Sequence, residues 1–373
     1  MLTVQVHSRL GELLEWCERR SASDLHVQAG KPLVIRVQGK LQRIPEDTYN
    51  PLNDAGLYEW LTEAFSPETC VRIRSQREVD LSFYHGYQRY RANFSKQKGT
   101  QSFSFRIVPQ QRQKLADLNL PTSLADLVKE PRGLLLVTGP TGQGKSTTLR
   151  ALIQEINETA AFRIVTIEDP IEYVFEDYLS QFEQREVGID TDSFAAGIRN
   201  AMRQDPNVIF VGEIRDQESI YAAMQAAETG HLVLTTLHAD SVAQAIARIR
   251  EFYPASEQDN ISSLLARNLN AIVSQRLIPS ADGRRVPALE LMKRDKGVQE
   301  AIQANNLHLL QGIVEASVGQ GMHSLDQYII ELLAAEQITR ETAQHYSVNK
   351  HRLDMLLRGI INNVGILKRD EDR

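Results

Sequence analysis

Apolar and polar positions follow two different patterns along this chain. Up to about residue 110 they alternate in short runs. Asp24-Leu25-His26-Val27-Gln28 alternates like a strand, residues 33–41 read as a hairpin turning at Gly39, and residues 79–84, 87–94 and 101–107 alternate aromatic with polar positions between Gly86 and Gly99. Helical spacing recurs at residues 10–17 and again around 54–65. These signals predict a small α+β sheet domain over residues 1–110. Residues 109–114 are polar and aperiodic, which suits a linker placed at 111–117. From Leu115 to about Tyr346 the pattern changes to solid apolar runs separated by helical stretches, with runs at 133–138, 162–167, 207–211 and 232–237. Strands that are apolar on both faces and alternate with helices predict a mainly parallel sheet, so residues 118–346 read as an α/β domain ending in helical segments. Residues 347–373 read as a tail closing in the charge run 368–373.

Composition narrows this picture only a little. The 373 residues suffice for two or three domains, and 42% hydrophobic with 24% charged residues is ordinary for a globular protein. No stretch reaches the roughly 18 uninterrupted apolar residues of a membrane span, and residues 1–9 lack the apolar core of a secretory signal. Cys17 and Cys70, far apart, suit neither a metal finger nor a disulfide scaffold and fit a reducing cytoplasm. A net charge of −6 gives no general attraction to nucleic acid.

The chemistry begins where the first solid strand ends. Gly139-Pro140-Thr141-Gly142-Gln143-Gly144-Lys145-Ser146 matches G-x-x-x-x-G-K-[ST], with a strand before it and a helical pattern from Ser146 and Thr147 onward. Glycines allow backbone N–H groups to turn onto phosphate oxygens, and the helix N-terminus adds the positive end of its dipole. Lys145 is expected to reach the β- and γ-phosphates and Ser146 to place its hydroxyl on Mg²⁺. ATP and Mg²⁺ are the implied ligands.

Three further strand ends carry polar groups. Residues 162–167 run into Glu168-Asp169-Pro170-Ile171-Glu172, where Glu168 and Glu172 either orient or deprotonate the attacking water or form a solvated acidic turn. Residues 207–211 lead into Gly212-Glu213-Ile214-Arg215-Asp216, a Walker B pattern with its acid, Glu213, displaced by Gly212 and expected to serve Mg²⁺. His231 and His238 flank the fourth strand and read as a γ-phosphate sensor, or else as structural histidines; they are not spaced as a zinc pair.

Taken in this order, Gly139–Ser146, Thr166–Glu172, Gly212–Asp216 and Gly230–His238 resemble the Walker A, acidic box, atypical Walker B and histidine box of the secretion ATPase superfamily of type II and type IV secretion and type IV pili. Ser21-Ala22-Ser23-Asp24-Leu25-His26, Gln184-Arg185-Glu186-Val187, Arg203-Gln204-Asp205-Pro206 and Gly321-Met322-His323-Ser324-Leu325-Asp326 are similar to the PilT-like, pilus-retraction branch. That resemblance implies a homohexamer with an N-terminal PAS-like domain and a RecA-like ATPase domain, nucleotide at the subunit seam, and arginines of the N-terminal sheet reaching it from the next subunit. The matching positions are Arg89, Arg91 and Arg106, which otherwise form a solvated strand face. It also implies a motor peripheral to the inner membrane, docked on a platform protein and acting indirectly on pilins. Two departures stand out. The Ala-Ile-Arg-Asn-Leu-Ile motif of the retraction type survives only in fragments at Val298-Gln299-Glu300-Ala301-Ile302-Gln303, and the four-cysteine insert of assembly-type relatives is missing.

A DotB-like ATPase of type IVB secretion or conjugation has the same compact layout and remains open at this stage. A nucleic-acid translocase would need a basic channel, but the clusters Arg72, Arg74, Arg77 and Arg248, Arg250 are interspersed with acids. A non-hydrolysing scaffold fits poorly with Glu168, Glu172 and Glu213 all present.

Overall fold

The computed structural model describes residues 8–37, 39–45, 47–108 and 112–357; the opening seven residues, part of the expected linker and the final charge run lie outside them. Contacts divide the chain into two units, one of residues 1–111 joined by Glu172–Phe175, the other of Arg112–Ile171 and 176–373.

The N-terminal unit is built on an antiparallel sheet of β1 (Ala22–Gln28), β2 (Val34–Val37), β3 (Lys40–Arg43), β4 (Glu78–His85), β5 (Gln88–Gln97) and β6 (Thr100–Ile107), in the order β3-β2-β1-β6-β5-β4. Alternation is the cause: on β5, Tyr90, Ala92 and Phe94 point inward while Arg91 and Asn93 stay half-exposed. The inward aromatics meet edge to face, Phe94 with Phe103 at 5.0 Å and Phe65 with Phe83 at 5.1 Å between ring centroids. Helices Arg9–Arg19 and Asp54–Ala64 add Leu13, Leu14, Leu57 and Leu61 to the same core. Serine and asparagine caps start them, Ser8 accepting from the Gly11 amide and Asn53 from that of Gly56.

The second unit holds β7 (Gly133–Thr138), β8 (Arg163–Glu168), β9 (Gln181–Glu186), β10 (Val208–Val211), β11 (Leu232–Leu237), β12 (Leu269–Pro279) and β13 (Arg285–Lys293), in the order β13-β12-β7-β11-β10-β8-β9. Every neighbouring pair is parallel except β12–β13. This is the expected mainly parallel α/β sheet beside a separate α+β unit. All six residues of β7 are buried, and Leu134 and Leu136 enter a core with the helices Phe194–Ala201, Gln217–Glu228 and Val242–Glu251. Two elements differ from the sequence pattern. Edge strand β9 is polar and half-exposed along most of its length, so it carries no apolar run. The long β12–β13 hairpin was not among the strands read from the sequence, and the expected helical segments follow it. Residues 347–349 are also tied down: buried Asp326 accepts from the Ser347 hydroxyl at 2.9 Å and from the amides of Val348 and Asn349 at 2.7 and 3.0 Å, just before helix Lys350–Leu357.

Candidate functional site

Because β7, β8, β10 and β11 run parallel, the segments that follow them emerge at one edge of the sheet. That edge collects the P-loop after Thr138, Glu168 closing β8, Glu213 two residues past β10 and His238 directly after β11. Gly139, Gly142 and Gly144 take φ values of +147°, +76° and +80°, conformations that only glycine adopts without strain. Helix Lys145–Thr159 starts on Gly144 with no side-chain cap, whereas Ser193, Asp216 and Ser241 cap the helices that follow them. Its first-turn amides, those of Ser146 and Thr147 included, are therefore the donors suited to phosphate. Buried Lys145 donates to the loop carbonyls of Gly139 at 2.8 Å and Pro140 at 2.9 Å. Burial pushes its ammonium below the ordinary lysine range, and the charge of Glu213 works against that shift.

Glu213 is the hub of the charged groups. One carboxylate oxygen pairs with Arg215, and the other lies 3.6 Å from His238 Nε2. Arg215 also reaches Asp169 at 3.6 Å, linking the ends of β8 and β10. Arg215 stood in the sequence as a member of a quoted motif without a role. Burial and then the Lys145 charge hold the His238 imidazole below its usual range, with Glu213 working against that shift. Glu168, buried, accepts from the Thr166 hydroxyl at 2.7 Å and from the Gln184 amide at 3.1 Å. Polar β9 thereby earns its place: it brings Gln184 to the acid of β8.

Two expected site residues lie elsewhere. His231 precedes β11 and so sits at the opposite edge of the sheet, a six-residue strand (about 20 Å) away from His238. Its Nδ1 lies 2.9 Å from the Ala226 carbonyl and 3.2 Å from the Thr229 hydroxyl, closing the end of helix Gln217–Glu228. Glu172 belongs to the N-terminal unit, where its carboxylate lies 3.5 Å from Arg91. It is not among the acids gathered at the strand ends.

The three expected arginines, Arg89, Arg91 and Arg106, share one sheet face of the N-terminal unit. Arg89 and Arg91 are two apart on β5, and Arg91 stands opposite Arg106 on β6. Arg106 pairs in turn with Asp24 of β1, and Asp24 with Arg36 of β2, an arginine the sequence reading passed over. Arg106 Nε donates to Asp24 at 2.9 Å, and Arg36 lies at 3.6 Å. Burial pushes the Asp24 carboxyl up, but hydrogen bonds from Arg106 and Ser23 outweigh it and hold the group below the usual carboxylate range. Arg89 is buried, with its guanidinium 5.4 Å from the Tyr84 ring centre.

Comparison with known proteins gives consistent relatives. Residues 99–360 match the family described as Type II/IV secretion system protein. The chain is 37% identical over 334 residues to the type IV pilus retractation ATPase PilT of Pseudomonas aeruginosa, covering 89% of this chain and 96% of that one. Among solved structures, the pilus retraction motor PilT with bound ADP gives a TM-score of 0.84 at 37% identity, covering 92% of this chain and 98% of that one. The ATPase DotB of Legionella pneumophila gives 0.73 at 28% identity, covering 90% and 94%.

Proposed function

The chain belongs to the type II/type IV secretion system protein family and is an ATPase, and from that premise we propose that it is the hexameric motor of type IV pilus retraction. The observation that carries this reading is the end-to-end likeness to a retraction ATPase, 89% of this chain against 96% of that one. The likeness to a DotB ATPase is just as long at lower identity, 28% against 37%, and makes substrate secretion the competing role.

The residues divide the work as follows. The amides of residues 142–147 and the Lys145 ammonium hold the β- and γ-phosphates, charge on preorganised dipoles. Ser146 and Glu213 would hold Mg²⁺, which when bound neutralises phosphate oxygens; a hydroxyl and a carboxylate are the hard oxygen donors that this cation takes. Glu168, fixed by Thr166 and Gln184, orients the attacking water or takes its proton. His238, beside Glu213, donates to the γ-phosphate. Arg91 and Arg106, with Arg89 behind them, are supplied to the nucleotide of the neighbouring subunit, where a guanidinium can contribute about 10³–10⁵ in rate. Hydrolysis at that seam drives the N-terminal unit of one subunit against the ATPase unit of the next. In this reading the ring docks on an inner-membrane platform protein; among the described residues no helix is long and apolar enough to cross a membrane.

Mixing two inactive variants tests the shared site. Rings of Lys145→Ala subunits combined with Arg91→Ala subunits should regain ATPase activity, because some seams pair an intact P-loop with an intact arginine. Mixtures as inactive as their parents would refute the shared site. Deletion in the source cell should leave pili that extend and do not withdraw; normal pili with a secretion defect would favour the competing role.

A further inference from the structure

Strand β12 runs past the end of β7. Their pairing closes at Ser274 opposite Thr138, yet β12 continues to Pro279 on its ladder with β13. The overhanging stretch lies against the P-loop. Gln275, 2% exposed, spans the gap with one planar amide. Its Oε1 accepts from the Thr148 hydroxyl at 2.6 Å, and its Nε2 donates to the Gln143 carbonyl at 2.7 Å. A second glutamine crosses in the other direction: Gln143 Oε1 accepts from the Leu277 amide at 2.6 Å. The loop's glycines have the same neighbour. A Cβ on Gly144 would come within 2.9 Å of Gln275 Nε2, and one on Gly139 within 2.3 Å of the Gln275 carbonyl oxygen.

We propose that Gln275 is a positioning residue for nucleotide binding, one that aims the Gly144 amide at the phosphates. The reason is peptide geometry. In a trans peptide the C=O and the following N–H point in opposite directions. Holding the Gln143 carbonyl outward on Gln275 therefore turns the Gly144 N–H inward, to the concave side of the loop where a phosphate is bound. The Gln143 carbonyl, which can only accept, fixes which end of the amide faces the loop. A flip would set Oε1 against that carbonyl, two acceptors face to face, and the Thr148 hydroxyl anchors the other end of the amide. Gln275 touches no phosphate in this scheme. It removes a rotation of the Gln143–Gly144 peptide that binding would otherwise have to freeze.

This inference rests on the ATPase reading and is separable from it. Titration of the full-length protein with Mg²⁺·ATP, by calorimetry or a fluorescent analogue, compares wild type with Gln275→Glu, Gln275→Ala and Thr148→Val. Gln275→Glu keeps the shape and the acceptor for Thr148, but sets a carboxylate oxygen against the Gln143 carbonyl. It should weaken binding by more than about tenfold, Gln275→Ala by about tenfold and Thr148→Val by about threefold, as expected for losing two or one internal hydrogen bonds. KM for ATP should rise more than kcat falls, and the unfolding temperature without nucleotide should stay within a few degrees of wild type. A merely structural glutamine would lower that temperature and leave the affinity of the folded protein unchanged. Wild-type affinity in a folded Gln275→Glu or Gln275→Ala protein would overturn the proposal, and Thr148→Val decides it if neither folds. A wild-type protein that binds no ATP would sink the ATPase reading instead.

Discussion

Gly139 and Gly142 both lie at positive φ in the same loop, yet alanine should affect them very differently. At Gly142 (φ +76°) nothing lies within 4 Å of an added Cβ, so only backbone strain is at stake. A non-glycine residue in the left-handed region costs about 1 kcal/mol at the low end, which is roughly fivefold in affinity if it falls wholly on the nucleotide-ready loop. At Gly139 the φ of +147° is outside the regions open to an L-residue, and the added Cβ would lie 2.3 Å from the Gln275 carbonyl oxygen. That oxygen cannot retreat, because β12 is paired with β13 from Ala271 to Pro279 and with β7 up to Ser274. The loop must move instead, at a combined strain of about 3 kcal/mol or more, a loss of roughly a hundredfold or greater in binding. Titrating Mg²⁺·ATP into Gly139→Ala and Gly142→Ala measures both. Near-equal affinities for the two variants, or Gly139→Ala within tenfold of wild type, would refute the argument that the β12 rail fixes the loop.

Other outcomes follow from where single side chains lie. His238→Ala should cut turnover by about 10²-fold while ATP still binds, and His231→Ala should leave turnover within about twofold, since one histidine faces Glu213 and the other closes a helix at the opposite sheet edge; equal losses would sink that division. Burial holds the His323 imidazole down at about 4 against an ordinary 6.5, so below pH 6.5 the unfolded chain takes up a proton that the folded one refuses until about pH 4. Stability is therefore lost as pH falls through that window, by about 2 kcal/mol between pH 7 and pH 5, and His323→Phe should remove this part of the pH dependence. Calorimetry is the suitable readout, because Trp16 and Trp60 both lie in the N-terminal unit and report nothing of His323. An unchanged slope in the variant would count against it. Asp326→Ala removes the acceptor of three hydrogen bonds and should weaken the hold on residues 347–349 by about 3 kcal/mol, seen as faster amide exchange at Val348 and Asn349; unchanged protection there would contradict the clamp.

What could be read in the sequence depended on whether the chemistry was local. The P-loop needs its glycines, lysine and serine within eight consecutive positions, and Glu213 needs only a short apolar strand before it, so both are visible in the residue string. Gln275 is not, because it meets Thr148 and Gln143 across separations of 127 and 132 residues and carries no motif of its own. Polar β9 escaped for a different reason: an edge strand with most residues half-exposed has no apolar run to find. Arg36 joined the arginine row only through strand register, which places it across Asp24 from Arg106.

The two histidines are a sharper case, since the signal that separates them was present all along. A parallel sheet delivers the residue before a strand to one edge and the residue after it to the other. His231 precedes β11 and His238 follows it, just as the P-loop follows β7. Strand polarity alone therefore assigns His238 to the phosphate edge and removes His231 from it, before any distance is measured. The same rule keeps Glu168, which closes β8, and Glu213, two residues past β10, and it is silent about Glu172, four residues beyond Glu168, where the chain has already turned to pair with Arg91 in the other unit. In a sheet of this kind a conspicuous polar residue earns a catalytic reading by following its strand closely, and each further residue of loop weakens that claim.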